Sequence, residues 1–277
     1  MSRLDEPRFF NSPSVMLVGA GPGDPELLTL KAARALAEAR LVLYDALVSP
    51  AVLALCPAEA ELIYVGKQSG HHHMSQEAII ELMISLVRQG RSLLRLKGGD
   101  PFIFGRGGEE AEALAAAGIP FSCIPGISAA QAAAAGAGIP LTHRDHAGAL
   151  VFATGHLRAN DQAGADGAAA HCVDLDWPLL ARPHQTVVIY MGLGALEIIS
   201  AQLIAHGLAA DTPAAVIASA SQPEQRCLRE RLDRLPALVR QAAVRSPALL
   251  LIGQVAALHE RLWPSLAQAR EDAHCKV

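Results

Sequence analysis

Short apolar runs alternate with helix-length segments along almost the whole chain, and this alternation constrains the fold more than any other feature of the sequence. Strands separated by such segments are typical of βαβ units, which build mostly parallel sheets. A length of 277 residues is enough for two domains. We therefore predict an α/β protein with two domains that meet near residue 146. The predicted strands are 15–18, 41–44, 62–65, 92–96, 121–124, 149–154, 186–190, 213–217, 226–230 and 248–252, and the predicted helices are 27–39, 75–88 (capped by Ser75), 109–117, 128–135 and 195–206.

Composition excludes several classes of protein. Apolar residues make up 51% of the chain and charged residues 18%, so a large core can be buried and disorder is not expected within the domains. The net charge of −4 argues against a nucleic-acid binder that relies on bulk positive charge. The five cysteines are scattered, odd in number and without a C-x-x-C pair, which favours reduced thiols in a cytoplasmic protein and argues against a structural zinc.

Neither a signal peptide nor a membrane helix is predicted. The first ten residues lack an apolar h-region. Residues 113–143 contain no Asp, Glu, Lys or Arg, but prolines and glycines interrupt them, whereas a bilayer helix needs about 20 mostly apolar residues in one run. Residues 159–172 are rich in Gly, Ala and Asp and are predicted to form a flexible surface insertion. The tail after residue 262 is predicted to be a frayed helix.

The stretch RLKGGDPFIFGRGGEE, from Arg95 to Glu110, carries the strongest functional signal. A short apolar strand leads into a loop of glycine, aspartate and proline, and GRGGEE then has the composition of a helix start. Glycines at the carboxyl end of a strand let a ligand approach main-chain groups that a side chain would cover. Ligands of open α/β sheets bind at that edge. We interpret this loop as part of a binding site.

The segment Gly19 to Asp24, GAGPGD, is a second candidate ligand loop. It is similar to the dinucleotide fingerprint G-x-G-x-x-G, and Asp45 follows about 20 residues later, so a dehydrogenase is one alternative. However, proline takes the fourth position and Asp24 would repel a phosphate. An acidic loop suits a cationic ligand or a hydroxyl donor. Alternatively, Asp24 only caps a helix that begins at Pro25.

Six segments in the same order make the chain similar to a known family. They are VGAGPGDPELLTLKAARAL, YDALV, VGK, RLKGGDPFIFGRGGEE, PGISAA and GIPLTHR. The chain resembles the uroporphyrinogen-III C-methyltransferases, which belong to the tetrapyrrole methylases that use S-adenosylmethionine. The match extends from about residue 15 to 255, and GRGGEE with GIPLTHR narrows the resemblance to this activity.

The resemblance implies two α/β domains of the tetrapyrrole methylase (class III methyltransferase) type, spanning 14–145 and 146–262, with the active site in the cleft between them. It implies S-adenosyl-L-methionine as cofactor, S-adenosyl-L-homocysteine as its product, and uroporphyrinogen III as the substrate that two methyl transfers convert to precorrin-2. It further implies a cytoplasmic homodimer that binds neither nucleic acid nor membrane. The short N-terminal tail leads us to expect no fused dehydrogenase or ferrochelatase segment.

Individual residues carry over from the family motifs. Asp45 matches a proton acceptor and Lys67 a proton donor, and Arg106 matches a basic residue facing the substrate. This chain has YDALV where relatives often have YDRLV, so any substrate contact from that arginine is absent. The residues that match cofactor contacts are Pro22, Gly98, Gly99, Asp100, Ile103, Ser128, Ala129, Met191 and Ala220. Of these, Ala220 replaces a frequent glycine, and its methyl group could crowd the adenosine.

The substrate of the resembled family carries eight carboxylates, so separate cations should face it. Arg106, Lys67, His143 and Arg144 are candidates, with Asp24 as a further substrate contact. The alternatives are that Arg144 pairs with Asp145 on the surface and that Met191 is core filler. His71, His72 and His73 are adjacent, and three adjacent residues cannot all face one ion, so we predict a loop there and no metal site.

The chemistry implied by the resemblance needs no activated nucleophile, because an electron-rich pyrrole carbon attacks the methyl group directly. Alignment then does most of the work, and one base must remove the ring proton afterwards. We assign that role to Asp45, with Lys67 and Asp100 tuning the local charge. Two alternatives stay open: a sister methylase acting on a later corrinoid intermediate, and a non-catalytic ligand-binding module.

Overall fold

The computed structural model describes residues 12–66, 74–156, 158–159 and 171–274. The chain divides into two compact units, Met1–Ala129 and Ala130–Val277, each with its own five-stranded sheet. The α/β class predicted from the sequence is therefore confirmed. The domain bounds 14–145 and 146–262 remain a prediction.

The sheet of the first unit is entirely parallel, with the strand order β3-β2-β4-β1-β5. Helices cover both of its faces. Its elements are β1 (Val15–Gly19), α1 (Leu30–Ala37), β2 (Leu41–Tyr44), α2 (Pro50–Leu53), β3 (Glu61–Tyr64), α3 (Gln76–Arg88), β4 (Leu93–Lys97), α4 (Gly107–Ala116) and β5 (Phe121–Ile124). The helix α5 (Ala129–Ala137) begins at the boundary between the units.

Each face of this sheet has its own core, because successive residues of a strand point to opposite faces. Met16 and Val18 of β1 pack with α1 and α2. Val15 and Leu17 pack with α3 and with Leu114 of α4. The near-continuous apolar runs of the sequence follow from this burial on both faces.

Side-chain caps fix where these helices begin. Thr29, Ser49 and Ser75 each accept a hydrogen bond from the backbone N–H three residues later, which satisfies a donor that the first helical turn leaves without a partner. The predicted cap at Ser75 is thus confirmed. The helix predicted over 27–39 begins three residues later, at Leu30, because Pro25–Leu27 forms a separate 3₁₀ turn.

The sheet of the second unit is mixed, so the predicted mostly parallel sheet is wrong for this half. Only β6 and β9 are parallel neighbours in the order β11-β10-β12-β9-β6. The connection from β10 to β11 is too short for a crossover helix, so these strands pair antiparallel. The elements are β6 (Ala149–Thr154), β7 (Arg158–Ala159), β8 (His171–Cys172), α6 (Trp177–Leu180), β9 (Gln185–Tyr190), α7 (Leu196–Ala205), β10 (Pro213–Ala218), β11 (Arg226–Arg231), α8 (Leu235–Gln241), β12 (Ala248–Ile252) and α9 (His259–His274).

Candidate functional site

Three loops meet backbone to backbone at the carboxyl edge of the first sheet. Gly21 and Gly99 exchange two hydrogen bonds, of 3.2 and 2.7 Å, which join the loop after β1 to the loop after β4. A Cβ atom on Gly126 would lie 2.2 Å from the Gly99 carbonyl oxygen, and one on Gly19 would lie 2.5 Å from the Gly126 nitrogen. Gly19 and Gly126 therefore allow loop-to-loop contact, whereas the sequence analysis interpreted the segment Gly19 to Asp24 as a candidate ligand loop.

Gly99 has the property expected of a ligand-binding glycine. Its φ of +68° favours glycine, and a Cβ atom there would meet nothing closer than the Ala129 nitrogen at 3.9 Å. Gly98 differs, because a Cβ atom on it would lie 2.5 Å from the Cβ of Leu47. Of the other residues matched to the cofactor in this unit, Pro22, Ile103 and Ala129 are half-buried and Ser128 is buried.

Asp100 connects two of these loops through its side chain. Its Oδ1 accepts a hydrogen bond from the Phe102 N–H at 2.8 Å, and its Oδ2 accepts one from the Gly126 N–H at 3.0 Å. Both carboxylate oxygens are thus engaged in holding the loops. A cofactor contact by Asp100 remains a prediction.

Asp45 lies at the end of β2, at the same edge of the sheet. Its Oδ1 accepts a hydrogen bond from the Leu47 N–H at 3.0 Å, and its Oδ2 lies 3.8 Å from Nη2 of Arg95. The side chain is 25% exposed and lines a hollow of about 390 Å³. The residues lining this hollow are Tyr44, Asp45, Ala46, Val48, Pro50, Leu53 and Tyr64. The carboxylate is therefore fixed in direction and accessible.

A buried charge cluster lies behind Asp45, formed by Arg95, Lys97 and Glu110. Oε1 of Glu110 accepts hydrogen bonds from Lys97 Nζ at 2.8 Å and from Arg95 Nε at 3.2 Å. Burial lowers the pKa of Lys97, and the positive charge of Arg95 lowers it further, while Glu110 opposes both effects. The sequence interpretation gave these three residues no role. A signal existed, because Arg95 and Lys97 are two apart on a strand and so share one face.

Arg106 forms a bidentate pair with Glu109 within the GRGGEE segment. Nε donates to Oε1 at 2.9 Å and Nη2 donates to Oε2 at 2.6 Å, and both side chains are about half exposed. This hydrogen bonding raises the pKa of Arg106 and lowers the pKa of Glu109. Gly107, which follows Arg106, allows close packing on the preceding loop, since a Cβ atom on it would lie 2.4 Å from the Pro101 carbonyl oxygen. The guanidinium is accessible to an anionic ligand that displaces Glu109.

Asp24 caps the 3₁₀ turn that begins at Pro25. Its Oδ1 accepts a hydrogen bond from the Glu26 N–H at 2.9 Å, as the capping alternative predicts. Nearby, the Ser49 hydroxyl donates to the Gly23 carbonyl at 2.6 Å and joins this loop to the start of α2. A substrate contact by Asp24 remains a prediction.

In the second unit, strained backbone marks the ends of β9 and β10. Met191 directly follows β9 with φ of +54°, and the residue is 53% exposed, so the alternative that it is core filler is wrong. Ala220 lies between Ser219 and Ser221, which have φ of +50° and +65°. Such conformations cost about 1–3 kcal/mol each and concentrate at functional sites.

His143 and Arg144 belong to a turn before β6 in the second unit. The Asp145 N–H donates to Nδ1 of His143 at 3.1 Å, and the His143 and His146 rings lie 4.6 Å apart. Arg144 is exposed. The Asp145 carboxylate lies 3.9 Å from the His143 ring, where the surface alternative had predicted Arg144 as its partner.

Several predicted features lie wholly or largely outside the described residues. They are Lys67, His71, His72, His73 and most of the 159–172 insertion. Within the described ranges, no group of three or more His, Cys, Asp or Glu side chains could hold a metal ion. Among the helices of that part of the chain, none is long and apolar enough to cross a membrane.

Comparisons with known proteins identify relatives of the chain. The family model of tetrapyrrole (corrin/porphyrin) methylases matches residues 14–236. A sirohaem synthase of Nitrosospira multiformis is 52% identical over 248 residues, covering 90% of this chain and 50% of the relative. The chain thus spans about half the length of the curated relatives it matches.

Solved structures agree with this result. Uroporphyrin-III C-methyltransferase from Thermus thermophilus, in complex with S-adenosylhomocysteine, is 39% identical with a TM-score of 0.70, covering 87% of this chain and 92% of that one. A cobalt precorrin-4 methyltransferase, an enzyme of cobalamin biosynthesis, is 26% identical with a TM-score of 0.73, covering 88% and 96%.

Proposed function

The chain belongs to the family of tetrapyrrole (corrin/porphyrin) methylases, and from this premise we propose that it uses S-adenosylmethionine to add two methyl groups to uroporphyrinogen III, giving precorrin-2. The observation that carries the proposal is the placement of Asp45, an accessible and oriented carboxylate at the edge of the sheet where the glycine loops meet. The Thermus thermophilus relative that carries S-adenosylhomocysteine supports the choice of cofactor.

The residues of the first unit fit such a cofactor. The open face of Gly99 offers main-chain groups without a side chain in front of them, and Gly98, Pro22, Ile103, Ser128 and Ala129 belong to the same set of loops. S-adenosylmethionine supplies an electrophilic methyl group on a positively charged sulfur. Because that charge disappears during transfer, peptide groups suit it better than a tight carboxylate clamp. We propose that Met191 and Ala220 complete the set.

The chain's own catalytic task is to remove a proton from the methylated ring. Asp45 accepts that proton, and the Leu47 N–H holds the accepting carboxylate in one orientation. Lys67 is proposed as the proton donor. Arg106 leaves Glu109 to bind a substrate carboxylate, and Asp24, His143 and Arg144 are proposed as further substrate contacts.

We further propose a homodimer that works in the cytoplasm without nucleic acid or membrane partners. This proposal depends on the family resemblance. Light scattering of the purified chain tests it, since a single monomeric species at working concentration contradicts the dimer.

The decisive experiment supplies the purified chain with uroporphyrinogen III and S-adenosylmethionine under anaerobic conditions and analyses the products by mass spectrometry. We expect the mass of two added methyl groups, with one S-adenosylhomocysteine formed for each. A chain that methylates only a later corrinoid intermediate is a sister enzyme. Cofactor binding without any methylated product contradicts catalysis.

A further inference from the structure

The buried charge cluster of Arg95, Lys97 and Glu110 has a composition that a purely structural core does not need. Glu110 is fully buried and the two cations are almost fully buried. Burying charged groups is costly unless each is paired, and well-packed apolar residues in their place are often no less stable. A function is therefore the better explanation for three such groups beside the candidate base.

Glu110 is the centre of this cluster. Its Oε1 accepts hydrogen bonds from Arg95, from Lys97 and, at 3.0 Å, from the Gln76 amide of α3. Glu110 lies in the first turn of α4, where the helix dipole favours a negative charge. Within the described residues, its Oε2 has no hydrogen-bond partner, so all of these contacts depend on one oxygen atom.

Arg95 connects Glu110 to Asp45. Nε faces Glu110, Nη1 donates to the Leu96 carbonyl at 3.1 Å and to the Leu43 carbonyl at 3.5 Å, and Nη2 lies 3.8 Å from Asp45 Oδ2. The planar guanidinium is thus held by three acceptors through Nε and Nη1. Its remaining side faces the carboxylate that accepts the proton.

The charges of the cluster balance only when Asp45 is included. Arg95 and Lys97 contribute two positive charges, and Glu110 neutralises one of them. Among the described residues, the other titratable groups that line the same hollow as Asp45 are Tyr44 on β2 and Tyr64 on β3. Asp45 therefore faces a net positive charge whose size depends on Glu110.

We propose that Glu110 is a positioning residue for Asp45, because it neutralises Lys97 and fixes Arg95 and so sets the positive charge that the base faces. This inference rests on the proposed function for its catalytic meaning. Through Arg95, the Glu110 carboxylate is thereby connected to the Asp45 carboxylate by direct contacts.

The test is a titration of the Asp45 carboxyl by carbon-13 NMR in aspartate-labelled protein, with the signal assigned through Asp45→Asn. In Glu110→Gln, the positive charges of Arg95 and Lys97 lack a compensating carboxylate, so we expect the titration midpoint of Asp45 to fall. In Lys97→Met, one cation is removed, so we expect the midpoint to rise. Glu112→Gln is the matched control, because it removes the same charge from an exposed position of α4 and should leave the midpoint unchanged.

The pH dependence of turnover tests whether the charge at Asp45 matters for catalysis. The acidic limb of the pH profile of turnover should move in the same direction as the midpoint in each variant, while affinity for S-adenosylhomocysteine stays within about twofold of wild type. Midpoints that stay at the wild-type value in both variants overturn the inference, whatever happens to stability. If Glu110→Gln does not fold, Lys97→Met decides alone. A wild-type protein without turnover contradicts the proposed function instead, and the titration still decides the electrostatic claim.

Discussion

The carboxylate of Asp100 accepts a hydrogen bond from the backbone N–H of Gly126, 26 residues further along the chain. This contact fixes the loop after β4 against the loop after β5. The same carboxylate also accepts from Phe102, so one side chain orders both the GGDPF turn and its neighbour. Asp100 therefore shapes the peptide edges that the cofactor is proposed to use.

Replacement of Asp100 by asparagine tests this role. An amide offers one acceptor oxygen instead of two, so one backbone N–H loses its partner, at a cost of about 1–3 kcal/mol. We expect a lower melting temperature and about tenfold weaker binding of S-adenosylhomocysteine by calorimetry. Asp176→Asn is the control, because Asp176 accepts from the Leu179 N–H as a helix cap in the second unit. Equal loss of affinity in both variants would contradict a local effect.

Gly126→Ala should be among the most damaging glycine substitutions in the first unit. The added Cβ atom would lie 2.2 Å from the Gly99 carbonyl oxygen, and both sides of this contact are backbone. Overpacking of this kind costs about 1–3 kcal/mol or more. Gly108→Ala is the matched control, since its Cβ atom would meet nothing within 4 Å and alanine favours the helix α4. Urea unfolding should show a loss in the first variant and no loss in the second.

Most strands and helices of the first unit could be predicted because short stretches of sequence determine them. Strands such as β2 and β5 follow from apolar runs, and Ser75 follows from capping chemistry. The second sheet was harder, since the same apolar runs occur in parallel and antiparallel strands. The length of the connection indicates the direction only where consecutive strands are neighbours, as β10 and β11 are. The spacing of Arg95 and Lys97 places these two cations on one face of β4, but the sequence does not reveal that Glu110 of α4 pairs with both or that Gly126 meets Gly99. These contacts depend on which elements the fold brings together.

Asp45→Asn tests the proposed base directly. The amide keeps the shape of the side chain and can still accept from the Leu47 N–H, but it cannot take up the ring proton. Loss of a general base reduces rates by about 10²–10⁴-fold. We expect turnover to fall within this range while S-adenosylhomocysteine binds as in wild type. Near-normal turnover with the cofactor still bound would show that a group other than Asp45 accepts the ring proton.

His259 should make the second unit sensitive to acid. Its Nδ1 contacts the Ala137 carbonyl oxygen, and its ring stacks on Trp263 with centroids 5.4 Å apart. Burial is the main effect that lowers the pKa of His259, and Arg229 adds to it, while the Ala137 carbonyl and Glu260 oppose them. The folded state therefore binds fewer protons than the unfolded state. The contribution of neutral His259 to the stability of the fold is complete above the ordinary pKa of 6.5 and is lost as pH falls through the lowered pKa. Melting temperatures from about pH 8 to pH 5 should fall less steeply for His259→Gln than for wild type. His206→Gln, at an exposed position, is the control and should show the same change of melting temperature with pH as wild type. If His259→Gln also shows the wild-type change, His259 is not the source of the acid sensitivity.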